Sequence, residues 1–425
     1  MEFRSAVASA AVSRNSGRRR NRLGAFSFAP SQLSRPAYSR PVRRTLVFVC
    51  LIIFVDATLY GVITPLVPGY VDDYHLSTFR AGLLVGSFGA GVLAGAIPTG
   101  MLAGRFGAKS AVVLGLLLLA GSSFAFAVAE SPVAIGIARF VQGFSSTTTW
   151  AGALAWLTVT APRERRGQLL GTVFGFAVLG AILGPTFGAT AQTIGIRTSF
   201  VIVAVVALAL TAAASLGPAV PLETAAPRAL RRALADPGFV LGLWLNTLPS
   251  FFFGTLYLLA PLALSGQGYG GFAIAAVFLV TGVLEAALNP LLGRISDRRG
   301  KLLPIRISLT ASIAAGVALA VSRSTPVVVF VVLTSIAFST LFTPGIALVS
   351  DRAEHNGLTQ GLAFGVMNGA WATGQVAGAP LAGALAGATG NWAAYLLCAA
   401  LSAATLAAVA ARGGVRRWLP LLRRR

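Results

Sequence analysis

Apolar stretches dominate the chain, and most of them are long. From Thr45 onward, runs of mostly apolar residues alternate with short breaks rich in Gly, Pro, Arg or Asp. A helix rises 1.5 Å per residue, so about 20 such residues cross a hydrocarbon core. Twelve runs meet that length. The first six begin near Thr45, Phe79, Ser110, Val133, Gly167 and Thr198. The second six begin near Gly238, Gly271, Leu302, Pro326, Leu358 and Trp392. The pattern predicts an all-α integral membrane protein whose even number of transmembrane helices leaves both tails on one side. Residues 1–44 read as a disordered basic tail with no secretory signal, and 412–425 as a second basic tail. Two six-helix bundles, 45–217 and 238–411, flank a linker at 218–237.

Composition agrees with this division. Hydrophobic residues make up 56% of the 425 and charged residues 11%, where soluble domains carry roughly 25% charge. A water-soluble enzyme, a disordered chain and a secreted disulfide scaffold are excluded. The two cysteines, Cys50 and Cys398, lie inside apolar runs near opposite ends, so neither a disulfide framework nor a metal site is expected. The net charge of +22 gains meaning from its placement. Thirty of the 34 Lys and Arg fall in the tails and the loops on their side. Arg80, Arg197 and Arg323 alone occupy the opposite loops, and Arg139 lies within a span. This bias predicts cytoplasmic termini in a cell membrane, beside anionic inner-leaflet lipids, rather than a nucleic-acid partner.

The two bundles look like copies. The loop after span two reads GMLAGRFGAK from Gly100, and the loop after span eight reads GRISDRRGK from Gly293. Gly100, Arg105 and Gly107 match Gly293, Arg298 and Gly300. Span five carries GAILGPTFG from Gly180, and span eleven carries GQVAGAPLAG from Gly374 at nearly the same offset. Two unrelated features recurring at one spacing argue for duplicated, pseudo-symmetric halves.

These motifs resemble those of the major facilitator superfamily. The second loop copy fits the family's signature at Gly293, Asp297, Arg298, Gly300 and Lys301, whereas the first has Gly104 at the acidic position. ARFVQG resembles the fourth-span motif through Arg139, Gln142 and Gly143. The Gly180, Gly184, Pro185 and Gly188 pattern resembles the fifth-span motif of antiporters, with Ala189 replacing its last glycine. Asp56, Gly61, Pro65 and Pro68 look like span one of drug/proton antiporters and vesicular amine transporters. The resemblance implies the family fold, transport by alternating access, a monomer, and a conformational gate formed by the two loops and the span-five glycines.

Three ionisable residues lie well inside spans: Asp56, Arg139 and Glu285. Each costs about 2.5–3.5 kcal/mol at a helix centre, so they are expected to face a partner or a water-filled pathway. Helical spacing groups them with other polar residues. Asp56, Tyr60 and Thr64 form one stripe, and Arg139, Gln142, Ser146 and Thr149 another. Thr281, Glu285 and Asn289 align on span eight; Asn368, Trp371 and Gln375 on span eleven; Asn246, Ser250, Phe253 and Tyr257 on span seven. Asp56 lies ~16 Å and Glu285 ~12 Å from the inner face by helical rise. A buried carboxylate can take either a proton or a cation, which is the simplest basis for exchange.

Asp56, Glu285 and Arg139 are therefore the candidate proton-coupling groups. Tyr60, Gln142, Asn246, Tyr257, Asn368, Trp371 and Gln375 are the candidate substrate contacts. No G-x-x-x-x-G-K-[ST] loop occurs, so the proton gradient is the expected energy source, with no cofactor and no enzymatic activity. The sequence predicts a proton-coupled exporter of amphipathic or cationic small molecules. The alternative is a facilitator or symporter for a neutral or anionic metabolite anchored by Arg139.

Overall fold

A computed structural model describes residues 40–162, 165–217, 227–299, 302–322 and 327–422. Every element among the described residues is helical. Helices α1 (Arg40–Gly61) and α2 (Val67–Asp73) together make span one, with a 3-10 turn between them at Thr64–Leu66. Spans two and three are α3 (Thr78–Ala127), which Gly107 divides at φ 84 and ψ 166. Only glycine adopts that conformation without strain, so the tight turn of the first loop signature needs it. Helices α4 (Pro132–Thr160), α5 (Arg166–Ile194) and α6 (Ile196–Ser215) complete the first half.

A short helix, α7 (Pro227–Ala235), precedes the second half. That half comprises α8 (Pro237–Gly266), α9 (Gly271–Arg299), α10 (Leu302–Val321), the pair α11 (Val327–Ser339) and α12 (Phe342–His355), α13 (Gln360–Thr389) and α14 (Asn391–Leu422).

Several expectations need adjustment. Among the described residues, ten segments are long and apolar enough to cross a membrane. The other two of the twelve expected spans are α4 and α13, 29 and 30 residues long, which their polar stripes make less hydropathic. Spans one and ten are broken rather than continuous. Pro65 and Pro68 remove backbone donors from the first, and Pro344 removes the donor that would reach the Thr340 carbonyl in the second. Helix α1 begins at Arg40, inside the expected tail, and α14 runs on to Leu422, past the expected boundary at 411. The linker is partly helical. Ala229 and Ala233 of α7 are buried with Phe239, Val349, Ala353, Leu358 and Ala363, so this segment docks on the second half.

Helix direction defines two ends: a terminal side, where α1 starts, and a far side. The halves meet through α3 against α13 and α5 against α9. Glycines show which end is shut. A Cβ on Gly82 would come 2.5 Å from the Ala379 carbonyl oxygen, and one on Gly282 2.6 Å from Ile182. Toward the terminal side, Gly100, Gly171, Gly175, Gly361 and Gly365 would meet nothing within 4 Å. The halves close at the far side and part at the terminal side.

Candidate functional site

Asp56 sits in the last third of α1, near the middle of span one, and is 2% exposed. Its Oδ2 accepts hydrogen bonds from Ser146 Oγ (2.7 Å) and Trp150 Nε1 (2.8 Å), both on α4. Its Oδ1 is buried with no hydrogen-bond partner. Glu285, on α9 in the other half, likewise has a buried, unpartnered Oε1. Neither acid forms an ion pair with another described residue, whereas Arg352 and Asp236 lie 3.8 Å apart.

Arg139 is 1% exposed and does not pair with Asp56. Its Nη1 donates to the Leu59 carbonyl (2.7 Å) and to Gln142 Oε1 (2.6 Å), and its Nη2 donates to the Tyr60 carbonyl (3.1 Å). Those carbonyls belong to the last turn of α1, which the break in span one leaves without intrahelical donors. A cation at a helix carboxyl end also meets the negative pole of the helix dipole. The guanidinium lies over the Phe88 ring at 4.8 Å, a favourable cation–π position. Arg139 therefore caps a helix that ends inside the membrane.

Next to that cap, residues of both halves converge. Tyr60 makes ring contacts with Phe88 (5.6 Å), with Tyr257 on α8 (5.5 Å) and with Trp371 on α13 (5.1 Å). The Tyr60 hydroxyl accepts from Gln375 Nε2 at 2.7 Å. Gln375 also donates to the Ser250 carbonyl at 3.2 Å. Glu285 lies within electrostatic reach of Tyr60 and Tyr257. Four aromatic rings and one hydrogen bond thus form a plug between the halves. Of the expected substrate contacts, Tyr60, Tyr257, Trp371 and Gln375 meet here, and Gln142 holds Arg139 beside them. Asn246 is buried near Gly345 with its Nδ2 unpartnered, and Asn368 on α13 is half-buried.

The expected gate residues separate into groups. A Cβ at Gly180, Gly184 or Gly188 would collide with the carbonyl oxygens of Phe54, Thr58 and Val62. These glycines and Pro185, which touches Gly61, seat α5 against α1 of the same half rather than against the opposite half. The contact of α5 with α9 uses Ile182 and Gln192 instead. Gly100 and Arg105 are exposed at the terminal side, near the Gly107 turn. Gly293, Asp297 and Arg298 are described only as helical backbone, and Gly300 lies outside the described residues.

Sequence reasoning missed Trp150, Phe88, Phe174 and Phe364. Trp150 was accessible, because it follows Ser146 by one helical turn and extends the α4 stripe. The phenylalanines carry no signal that separates them from ordinary apolar positions.

The sequence profile of the Major Facilitator Superfamily matches residues 49–363. The chain belongs to the major facilitator superfamily. Among its relatives is multidrug resistance protein 2 of Bacillus subtilis, 25% identical over 80% of this chain and 88% of that protein. A probable vesicular acetylcholine transporter-B of Danio rerio is 29% identical over 40% of this chain, a match that spans 36% of the zebrafish protein. The solved structure of a bacterial homolog of the human lysosomal transporter Spinster, in an inward-facing, occupied conformation, superposes with a TM-score of 0.68. It is 18% identical and covers 88% of this chain and 95% of that one, so it supports the fold alone. Family and relatives make this superfamily member a multi-pass membrane transporter that moves a small molecule.

Proposed function

We propose that this transporter is a proton-coupled antiporter that exports amphipathic or cationic small molecules by alternating access. The observation that carries the reading is a pair of buried carboxylates, Asp56 and Glu285, one in each half, each with an oxygen that lacks a partner. A buried charge without a counter-ion is costly. Each acid therefore requires a proton or a cation from outside the protein, and the two compete for the same site. Aromatic faces at Tyr60, Tyr257 and Trp371 supply the apolar and cation–π contacts that such a substrate uses.

The names of the Bacillus and zebrafish relatives favour the same substrate class. The charge bias supports cytoplasmic termini, so the open terminal side faces the cytosol, as export requires. No cofactor enters this reading; the proton gradient supplies the energy.

The alternative, an anionic or neutral substrate anchored by Arg139, has weaker support. Both terminal nitrogens of that guanidinium are occupied by backbone carbonyls and Gln142. The test is transport in reconstituted vesicles with an imposed pH gradient and a panel of lipophilic cations. Wild-type protein is expected to move cations against their gradient. Asp56→Asn and Glu285→Gln are expected to lose that coupling while still inserting. Normal gradient-driven transport by both variants contradicts the proposal.

A further inference from the structure

Trp150 touches two things at once. Its indole N–H donates to Asp56 Oδ2 at 2.8 Å, and its ring packs on Phe174 of α5, with centroids 5.8 Å apart and planes tilted by 48°. Phe174 in turn meets Phe364 of α13 at 6.0 Å. Phe364 belongs to the other half, one turn into its helix. Around this pair, Gly171, Gly175, Gly361 and Gly365 all face open space. The two phenylalanines therefore bridge the halves where they otherwise part. A continuous chain of contacts joins the carboxylate to the terminal-side throat.

We propose that Trp150 is a positioning residue that transmits the charge state of Asp56 to the Phe174–Phe364 contact between the halves. The inference rests on the proton-coupled reading above. Its physical basis is the strength of one hydrogen bond. A donor to an ionised carboxylate is held roughly twice as strongly as a donor to a neutral group. While Asp56 is ionised, the indole is fixed and its ring supports Phe174. Once Asp56 is protonated, that restraint weakens and the ring is free to turn, which releases the inter-half contact.

Few other charges act on this carboxylate. Ser146 and Trp150 of α4 are neutral, and Arg139 of α4 is engaged with Leu59 and Tyr60 farther along the seam. Helix α5, which also packs on α1, carries no titratable side chain beyond Arg166 at its start. Arg43 and Arg44 lie at the beginning of α1, more than two turns away in sequence.

Trp150→Phe separates the two contacts, because it keeps a ring for Phe174 and removes the donor to Asp56. The experiment is a pulsed-EPR distance between spin labels at Gly171→Cys and Gly361→Cys in reconstituted protein, recorded across pH. The two native cysteines are buried and remain unlabelled. In the wild-type background the distance is expected to change with pH, and in Asp56→Asn to stay fixed. Trp150→Phe is expected to lose at least half of the pH-dependent change. Phe364→Ala leaves Asp56 and its donors in place; it should abolish the distance response while keeping that part of the pH-dependent tryptophan fluorescence which Trp150→Phe removes.

A Trp150→Phe response equal to wild type, with Asp56→Asn silent, overturns the transmitting role and leaves the antiport reading standing. A wild-type distance that ignores pH overturns both.

Discussion

In the amino-terminal half, span one breaks at Gly61, and its loose carbonyls are held by the Arg139 guanidinium. In the carboxyl-terminal half, the break falls in span ten, between Ser339 and Phe342, and what surrounds it is aromatic. Phe338 stacks on Phe252 at 4.0 Å and 7°, and Phe342 stacks on Phe253 at 6.1 Å. One interruption is fixed by charge-assisted bonds from a guanidinium, the other by ring faces together with neutral hydroxyl caps from Ser339 to the Ile336 carbonyl (3.0 Å) and from Thr340 to the Ala337 carbonyl (2.6 Å). A bond from a charged donor is roughly twice as strong as one between neutral groups. The halves share a plan, but the first break is locked through a buried charge and the second through neutral groups. The acids fit that division. Asp56 keeps two donors, and the buried Oε1 of Glu285 has none.

The contrast breaks most sharply at the caps. Arg139→Ala leaves two carbonyls and Gln142 without a donor in a buried seam, and is expected to lower stability by about 3 kcal/mol, read from thermal unfolding in detergent. Phe342→Leu nearly conserves volume at the other break and is expected to cost only about 1 kcal/mol. Equal losses at the two sites would erase the distinction between them.

Tyr60→Phe probes the seam where the halves meet. It removes the acceptor for Gln375 while keeping the ring, a change of about 1 kcal/mol. The population open at the far side should rise about fivefold, measured as a distance between labels at the far-side ends of α3 and α13.

An effect of similar size, set apart by its pH dependence, is expected at Asp236, which lies outside the membrane before α8. Its carboxylate accepts from the Gly238 and Phe239 amides and from Asn356, with Arg352 at 3.8 Å. Partial burial disfavours its charge, but these donors and Arg352 prevail and hold the carboxyl below the usual carboxylate range. A carboxylate lowered on folding contributes stability above its unfolded value, and that contribution fades as pH falls through the folded one. Asp236→Ala should therefore cost about 1 kcal/mol near neutral pH, with the difference vanishing in acid. An unfolding series across pH checks both the size and the sign.

Much of the fold was legible because lipid leaves few solutions: long apolar runs must be helices, and loop arginines sort to one side. The two spans with the lowest hydropathy, α4 and α13, are the ones carrying Arg139, Gln142, Ser146 and Trp371, Gln375. Polarity that weakens a span's signal marks the site. The stripes placed Tyr60, Tyr257, Trp371 and Gln375 on faces that do converge. Other parts were hidden for physical reasons. Arg139 is bound by the Leu59 and Tyr60 carbonyls, which no side chain announces; the donors missing at Pro65 and Pro68 would have served Gly61 and Thr64. The span-five glycines indicate close approach but not the partner, and they lie against α1 rather than the opposite half. Phe174 and Phe364 read as ordinary lipid-span residues until their neighbours are known.

The most direct test of exchange at a shared carboxylate is proton release on substrate binding. Purified transporter in weakly buffered detergent, mixed with a lipophilic cation beside a pH indicator, should acidify the solution as the cation binds. The signal should be lost or strongly reduced in Asp56→Asn and in Glu285→Gln. Saturable cation binding with no proton release from the wild type, at any pH between 5 and 8, would contradict competition between proton and substrate.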